Sequence, residues 1–154
     1  MTKSLIDKYT INTRYQRSAR IDTDWKNDIV IWTATANLSN SSHIHGNLGV
    51  AYGRRGDYER AMKEFKHAIR LQMNYPEAHN NLGVLLNAKG DLDEAEKEFR
   101  YAIQFNPNYS NAHKNLADVL VKKRNKEEAK MHHARCLEIN PFHNEARQKL
   151  AKLQ

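Results

Sequence analysis

The side chains here that could hold a metal or attack a substrate are eight histidines and one cysteine, in a chain of 154 residues. Their spacing decides what they can do. His45, His79 and His113 recur every 34 residues, which puts them on separate structural units, about 10 Å apart at ordinary helix-packing distances. One ion held at about 2 Å per nitrogen cannot join them. His43 and His45 stand two apart and His132 and His133 are adjacent; neither spacing brings two side chains to one face of a helix. His67 stands alone. Cys136 is the single cysteine, so an internal disulfide and a thiolate metal cage are both excluded. The sequence has neither a phosphate-cradling glycine loop nor a Gly-x-Ser-x-Gly elbow. Glu127 and Glu128 read as negative charge at the start of a helix. The chain therefore reads as a non-enzyme with no catalytic residue, metal, cofactor or small-molecule substrate.

A different chemistry lies in Asn47, Asn81 and Asn115, which share the 34-residue interval. A carboxamide offers a donor and an acceptor together and matches a peptide backbone whatever its side chains. Burying such a group unpaired is costly, so a row of three belongs on a solvent-facing wall.

Both recurrences belong to a longer pattern. Placing Ser42, Pro76 and Ser110 one above another aligns three gapless blocks, 42–75, 76–109 and 110–143. Leu48, Leu82 and Leu116 share one position, followed by the small residues Gly49, Gly83 and Ala117. A small side chain there lets a second helix approach the first. Tyr52, Leu86 and Leu120 lie one turn further along the same apolar face. Gly56 and Gly90 suit a left-handed helix end, and Asp57 and Asp91 suit N-caps of the next helix. That helix repeats small, large, small: Ala61, Phe65, Ala68; Ala95, Phe99, Ala102; Ala129, His133, Cys136. Pro107 and Pro141 close it.

Leu48-Gly49, Tyr52, Ala61 and Phe65, with Leu82-Gly83, Ala95, Phe99 and Pro107, resemble the tetratricopeptide repeat pattern over about two thirds of the chain. The resemblance implies an all-α solenoid of three helix-turn-helix repeats, wound into a superhelix whose concave groove is lined by the first helices. It further implies groove-facing positions, which here hold Asn47, Asn81 and Asn115 together with Asn80, Lys114, Asp118, Asn87, Arg54 and Lys122. The asparagine row is similar to the ladder in the repeat domain of O-linked N-acetylglucosamine transferase, which grips extended peptide by its backbone. The function so implied is a protein-interaction scaffold for an extended, acidic peptide or a partner protein. The carboxylate clamp of chaperone-binding relatives is not matched, because Gly46 and Val50 stand where it needs Lys and Asn. The pattern also has gaps. Histidines replace the expected early tryptophan, Met73 stands for a closing proline, and Lys123-Arg124-Asn125 replaces a glycine turn. Asparagine tolerates the left-handed conformation, so Asn125 keeps that turn possible.

A formal charge of +7 invites a nucleic-acid partner. Residues 42–154, however, hold 19 Lys and Arg interleaved with 14 Asp and Glu. Only Lys122, Lys123, Arg124 and Lys126 cluster, and they read as a solvated corner rather than a phosphate-binding stripe. The longest apolar stretch, Ile29 to Trp32, is too short for a bilayer. The opening MTKSLIDKYT lacks a secretory pattern, giving a cytoplasmic expectation.

Residues 1–41 form a leader that no repeat frame fits: stepping back 34 from Leu48 and Ala61 meets Arg14 and Asn27. Within it DIVIWTATA, residues 28–36, reads as a short strand or a helix start. Trp25, Ile29, Ile31 and Trp32 favour packing against the first repeat. Residues 144–154 read as a capping helix through Ala146, Leu150, Ala151 and Leu153. Self-assembly into homo-oligomers through the apolar leader is the alternative function.

Overall fold

The structure, a computed structural model, describes residues 24–153; the first 23 residues of the leader and the Trp25 side chain lie outside the described residues. Those described form eight helices: α1 (Asp24–Leu38), α2 (Ser42–Arg55), α3 (Tyr58–Leu71), α4 (Pro76–Lys89), α5 (Leu92–Phe105), α6 (Ser110–Lys122), α7 (Lys126–Ile139) and α8 (Asn144–Leu153). The fold is an all-α solenoid. Each helix packs on its neighbours in sequence, and the first helices also touch one another, α2 with α4 and α4 with α6. They therefore form the inner side of the curve.

Small residues set the closeness of each pair. A methyl group added at Gly49 would lie 2.7 Å from the Phe65 ring, and one added at Gly83 would lie 2.7 Å from the Phe99 ring. These contacts fill the core with Leu82, Phe99, Leu116 and Leu120, all buried. The third repeat solves the same space differently, with Ala117 opposite the smaller ring of His133, both fully buried. Neither ring nitrogen of His133 has a hydrogen-bond partner, and Nε2 stops 3.7 Å from Asp118 Oδ1. We expect His133→Phe alone to overpack against Ala117 and lose about 1–3 kcal/mol. Adding Ala117→Gly should restore that loss and exceed the wild type, because the unpartnered buried imidazole is gone. Urea unfolding of the two variants checks the order.

The turns depart from expectation at two places. Gly56 and Gly90 take the left-handed form with φ of 83° and 95°. In the third repeat Arg124, not Asn125, is left-handed (φ 64°). Asn125 instead caps α7, its side-chain oxygen accepting from the Glu128 amide at 3.4 Å. A residue that caps needs a conformation preceding the helix, so the left-handed step falls one residue earlier. Asp57 caps α3, accepting from the Arg60 amide at 3.3 Å. Asp91, expected to do likewise, makes no side-chain cap; its carboxylate lies 3.7 Å from Lys89 Nζ instead.

The histidines that replace tryptophan act as staples. His79 Nε2 donates to the Met73 carbonyl at 2.9 Å, while Nδ1 meets Glu98 Oε2 at 2.6 Å. His113 repeats this with the Pro107 carbonyl at 3.1 Å and His132 Nδ1 at 2.9 Å. Arg147 occupies the same position in α8 and donates to the Pro141 carbonyl. Each staple ties a first helix to the loop before it, which is why α3 ends in register at Leu71 although Met73 replaces the proline. His45 meets Glu64 at 2.7 Å. His67, read as solitary, lies against it with ring centroids 4.1 Å apart, and both rings meet Asn40 Oδ1.

The leader holds a full helix where a strand or helix start was in view. Its α1 begins 34 residues before Tyr58 of α3 and packs on α2. It thus occupies the place of a second helix in a preceding repeat.

Candidate functional site

On the inner wall, asparagines at one position of three successive helices mark the candidate site. Asn47 is exposed, and Asn81 and Asn115 are half-buried. One turn beyond Asn81, Val84 is 41% exposed, so amide groups and apolar surface sit side by side on α4. This combination suits a peptide backbone with an apolar side chain beside it.

The structure brings the remaining residues of the predicted set together in pairs. Asn115 Nδ2 donates to Asn80 Oδ1 at 2.9 Å, and Asn80 is only 5% exposed. Asn80 therefore holds Asn115 in place beneath the surface. Lys122 Nζ donates to Asn87 Oδ1 at 2.6 Å, so its charge meets a neutral amide. Lys114 lies 3.3 Å from Asp118 and 3.0 Å from Glu145. Lys149 also reaches Asp118 at 2.7 Å and Glu145 at 2.6 Å. This four-membered cluster joins α6 to α8 and balances two cations with two carboxylates. The hydrogen bonds from Lys149, then from Lys114, hold the Glu145 carboxyl at about 2. Arg54 lies apart from that cluster, 3.8 Å from Asp28 of α1.

Two tyrosines that the sequence reading passed over join the wall. Tyr75 covers Gly46, where an added methyl would meet its hydroxyl at 2.6 Å, and its ring lies 5.1 Å from that of His43. Tyr109 stands 34 residues on at the same block position. Burial raises the pKa of both phenols, and the Glu77 carboxylate adds to the rise. The available signal was the Asn-Tyr pair that closes two successive blocks, residues 74–75 and 108–109.

The outer side offers less. A shallow depression of about 430 Å³ is lined by Asp93, Glu96, Arg100 and Lys123 among others. Its charges are engaged with each other: Lys123 lies 2.5 Å from Asp93 and 2.7 Å from Glu96, and Arg100 2.6 Å from Glu128. The basic corner at Lys123 is thus an inter-repeat tie. Among the described residues, no group of three or more His, Cys, Asp or Glu could hold a metal ion, and no helix is long and apolar enough to cross a membrane. Burial raises the pKa of the Cys136 thiol, the opposite of what a nucleophile needs.

Two family models, each described as tetratricopeptide repeat, match residues 47–110 and 86–153. No curated protein matches the chain. Among solved structures, the first TPR of Spaghetti bound to an HSP90 peptide has a TM-score of 0.72 at 23% identity, over 75% of this chain and 91% of that one. MamA has a TM-score of 0.78 at 19% identity, over 88% and 84%. YrrB, a TPR protein with an unusual peptide-binding site, has 0.72 at 23% identity, over 81% and 65%. At these identities the likeness is one of fold.

Proposed function

The chain belongs to the tetratricopeptide repeat family, and from that premise we propose that it is a scaffold binding an extended segment of another protein along α2, α4 and α6. The observation that carries this reading is the exposed amide row at Asn47 and Asn81, with Val84 beside it. Family members that bind peptide, such as the first TPR of Spaghetti with its HSP90 peptide, support the class of ligand. Gly46 and Val50 at the clamp positions argue against the same peptide here.

Side-chain preference follows from the pairing of the cations. Lys114 and Lys149 are neutralised by Asp118 and Glu145. Lys122 is bonded to an uncharged amide, so an acidic group of the ligand belongs near it.

Peptides selected from a random display library provide the probe. Asn47→Ala with Asn81→Ala should weaken the selected peptides about tenfold or more, the order expected for two lost backbone contacts. The melting temperature should stay unchanged, since neither residue is in the core. Equal affinity in the double variant would refute the groove. Asn115→Ala is a poorer probe because it strands the buried Asn80 amide.

A further inference from the structure

The two end helices are complementary halves of one interface. In each complete repeat, the second helix buries four residues against its own first helix: Ala61, Glu64, Phe65 and Ala68 in α3, with counterparts in α5 and α7. The alanines and phenylalanines there are buried and the Glu is half-buried. The same positions of α1 are Asn27, Val30, Ile31 and Ala34. Asn27 and Ala34 are exposed, Val30 is 67% exposed and Ile31 is half-buried. The face of α1 that a first helix would cover is open.

At the other end, α8 starts 34 residues after α6 and has the register of a first helix. Its inward residue Ala146 is buried, like Ala78 and Ala112. The residues that would meet a second helix are Arg147, Leu150 and Ala151, in the places of His113, Leu116 and Ala117. Those three of α6 are buried, whereas Arg147 and Ala151 are exposed and Leu150 is half-buried. Among the described residues, then, one end shows a second helix without its first and the other a first helix without its second.

We propose that α1 of one copy docks on α8 of another, completing a composite repeat and joining copies head to tail. The register fixes the contacts. Ile31 takes the place of Phe65 and faces Ala151 in the place of Gly49. The two larger partners in the chain, Phe65 and Phe99, face glycine, and the smaller His133 goes with Ala117; Ile31 with Ala151 follows that same rule. Val30 packs on the aliphatic stem of Arg147, where complete repeats place the Glu98–His79 contact. The joint continues the interface already repeated three times within the chain. It is heterologous and does not close on itself, so the product is an open string of copies.

Sedimentation of the full chain tests this. The weight-average mass should climb above the 17.9 kDa monomer as concentration rises from about 10 µM to about 1 mM, by mass action. Val30→Glu and Ala151→Glu change exposed residues and should each leave a folded monomer. Mixed in equal amounts, they should form a dimer of twice the monomer mass and nothing larger, since each supplies the end the other lacks. Asn47→Ala with Asn81→Ala should assemble like the wild type, which separates this joint from the groove. A wild type that stays monomeric at the highest concentration overturns the proposal. So does a single variant that still assembles, or a mixture that stays monomeric.

Discussion

Phe99→Ala should lower stability by about 3–5 kcal/mol, the usual loss for a fully buried phenylalanine. Its ring is wholly buried and lies in the contact that Gly83 leaves open for it. The middle repeat also contacts both others, and in a stacked array stability is a sum of unit and neighbour terms. Losing the middle unit therefore uncouples the ends, and urea unfolding followed by helical signal should broaden or split. Phe142→Ala is the control. That ring is 86% exposed, and its removal should change stability by no more than about 0.5 kcal/mol. Equal effects at the two positions would contradict the packing described.

Acid should open the third repeat in two stages. Burial lowers the pKa of His113, His132 and His133, and in His132 the neighbouring His113 lowers it further. His113 Nε2 donates to the Pro107 carbonyl, so in the neutral ring Nδ1 accepts and His132 donates to it. The folded pair has no room for two charged rings. Because the folded pKa values lie below the unfolded value of about 6.5, the unfolded chain takes up protons first. Stability is full above that pH and falls below it, by at most about 1.4 kcal/mol per pH unit for each group, until the folded ring protonates. Glu145 acts lower down. Its carboxyl is held at about 2, so its contribution is present above about 4.5 and is lost as pH falls through about 2. Hydrogen exchange should show α6 and α7 losing protection between pH about 6.5 and 5, with the α6–α8 tie failing only near the acid limit. His133→Phe with Ala117→Gly should shrink the first stage. An unchanged profile in that variant would remove His133 from the account.

What could be read without coordinates was what geometry forces to recur. Gly83 and Phe99 are a spacing rule as much as a pair of residues, so three repeats were visible in the alignment. The leader helix was not, because α1 carries Asn27 and Ile31 where the rule needs Ala and Phe. The turn at Arg124 was misassigned because two functions, left-handed step and cap, compete for Asn125. In the groove the asparagine row was legible as a column. Its internal bonds were not, since Asn80 to Asn115 and Asn87 to Lys122 each span 35 residues. An offset of one beyond the period never appears in a column. The staples were hidden for a similar reason: His79 and Glu98 meet across 19 residues and a turn, a distance at which no helix face rule applies.

Those 35-residue bonds have a mechanical consequence. They cross from the second repeat to the third on the inner side, while Lys123 to Glu96 and Arg100 to Glu128 cross the same boundary on the outer side. A beam braced on both flanges resists bending in either direction. Elastic deformation of the solenoid is thereby steered toward the boundary between the first and second repeats, beside Gly46, Tyr75 and Asn47. The curvature there can adjust to the thickness of whatever lies in the channel, while the far half keeps a constant gauge.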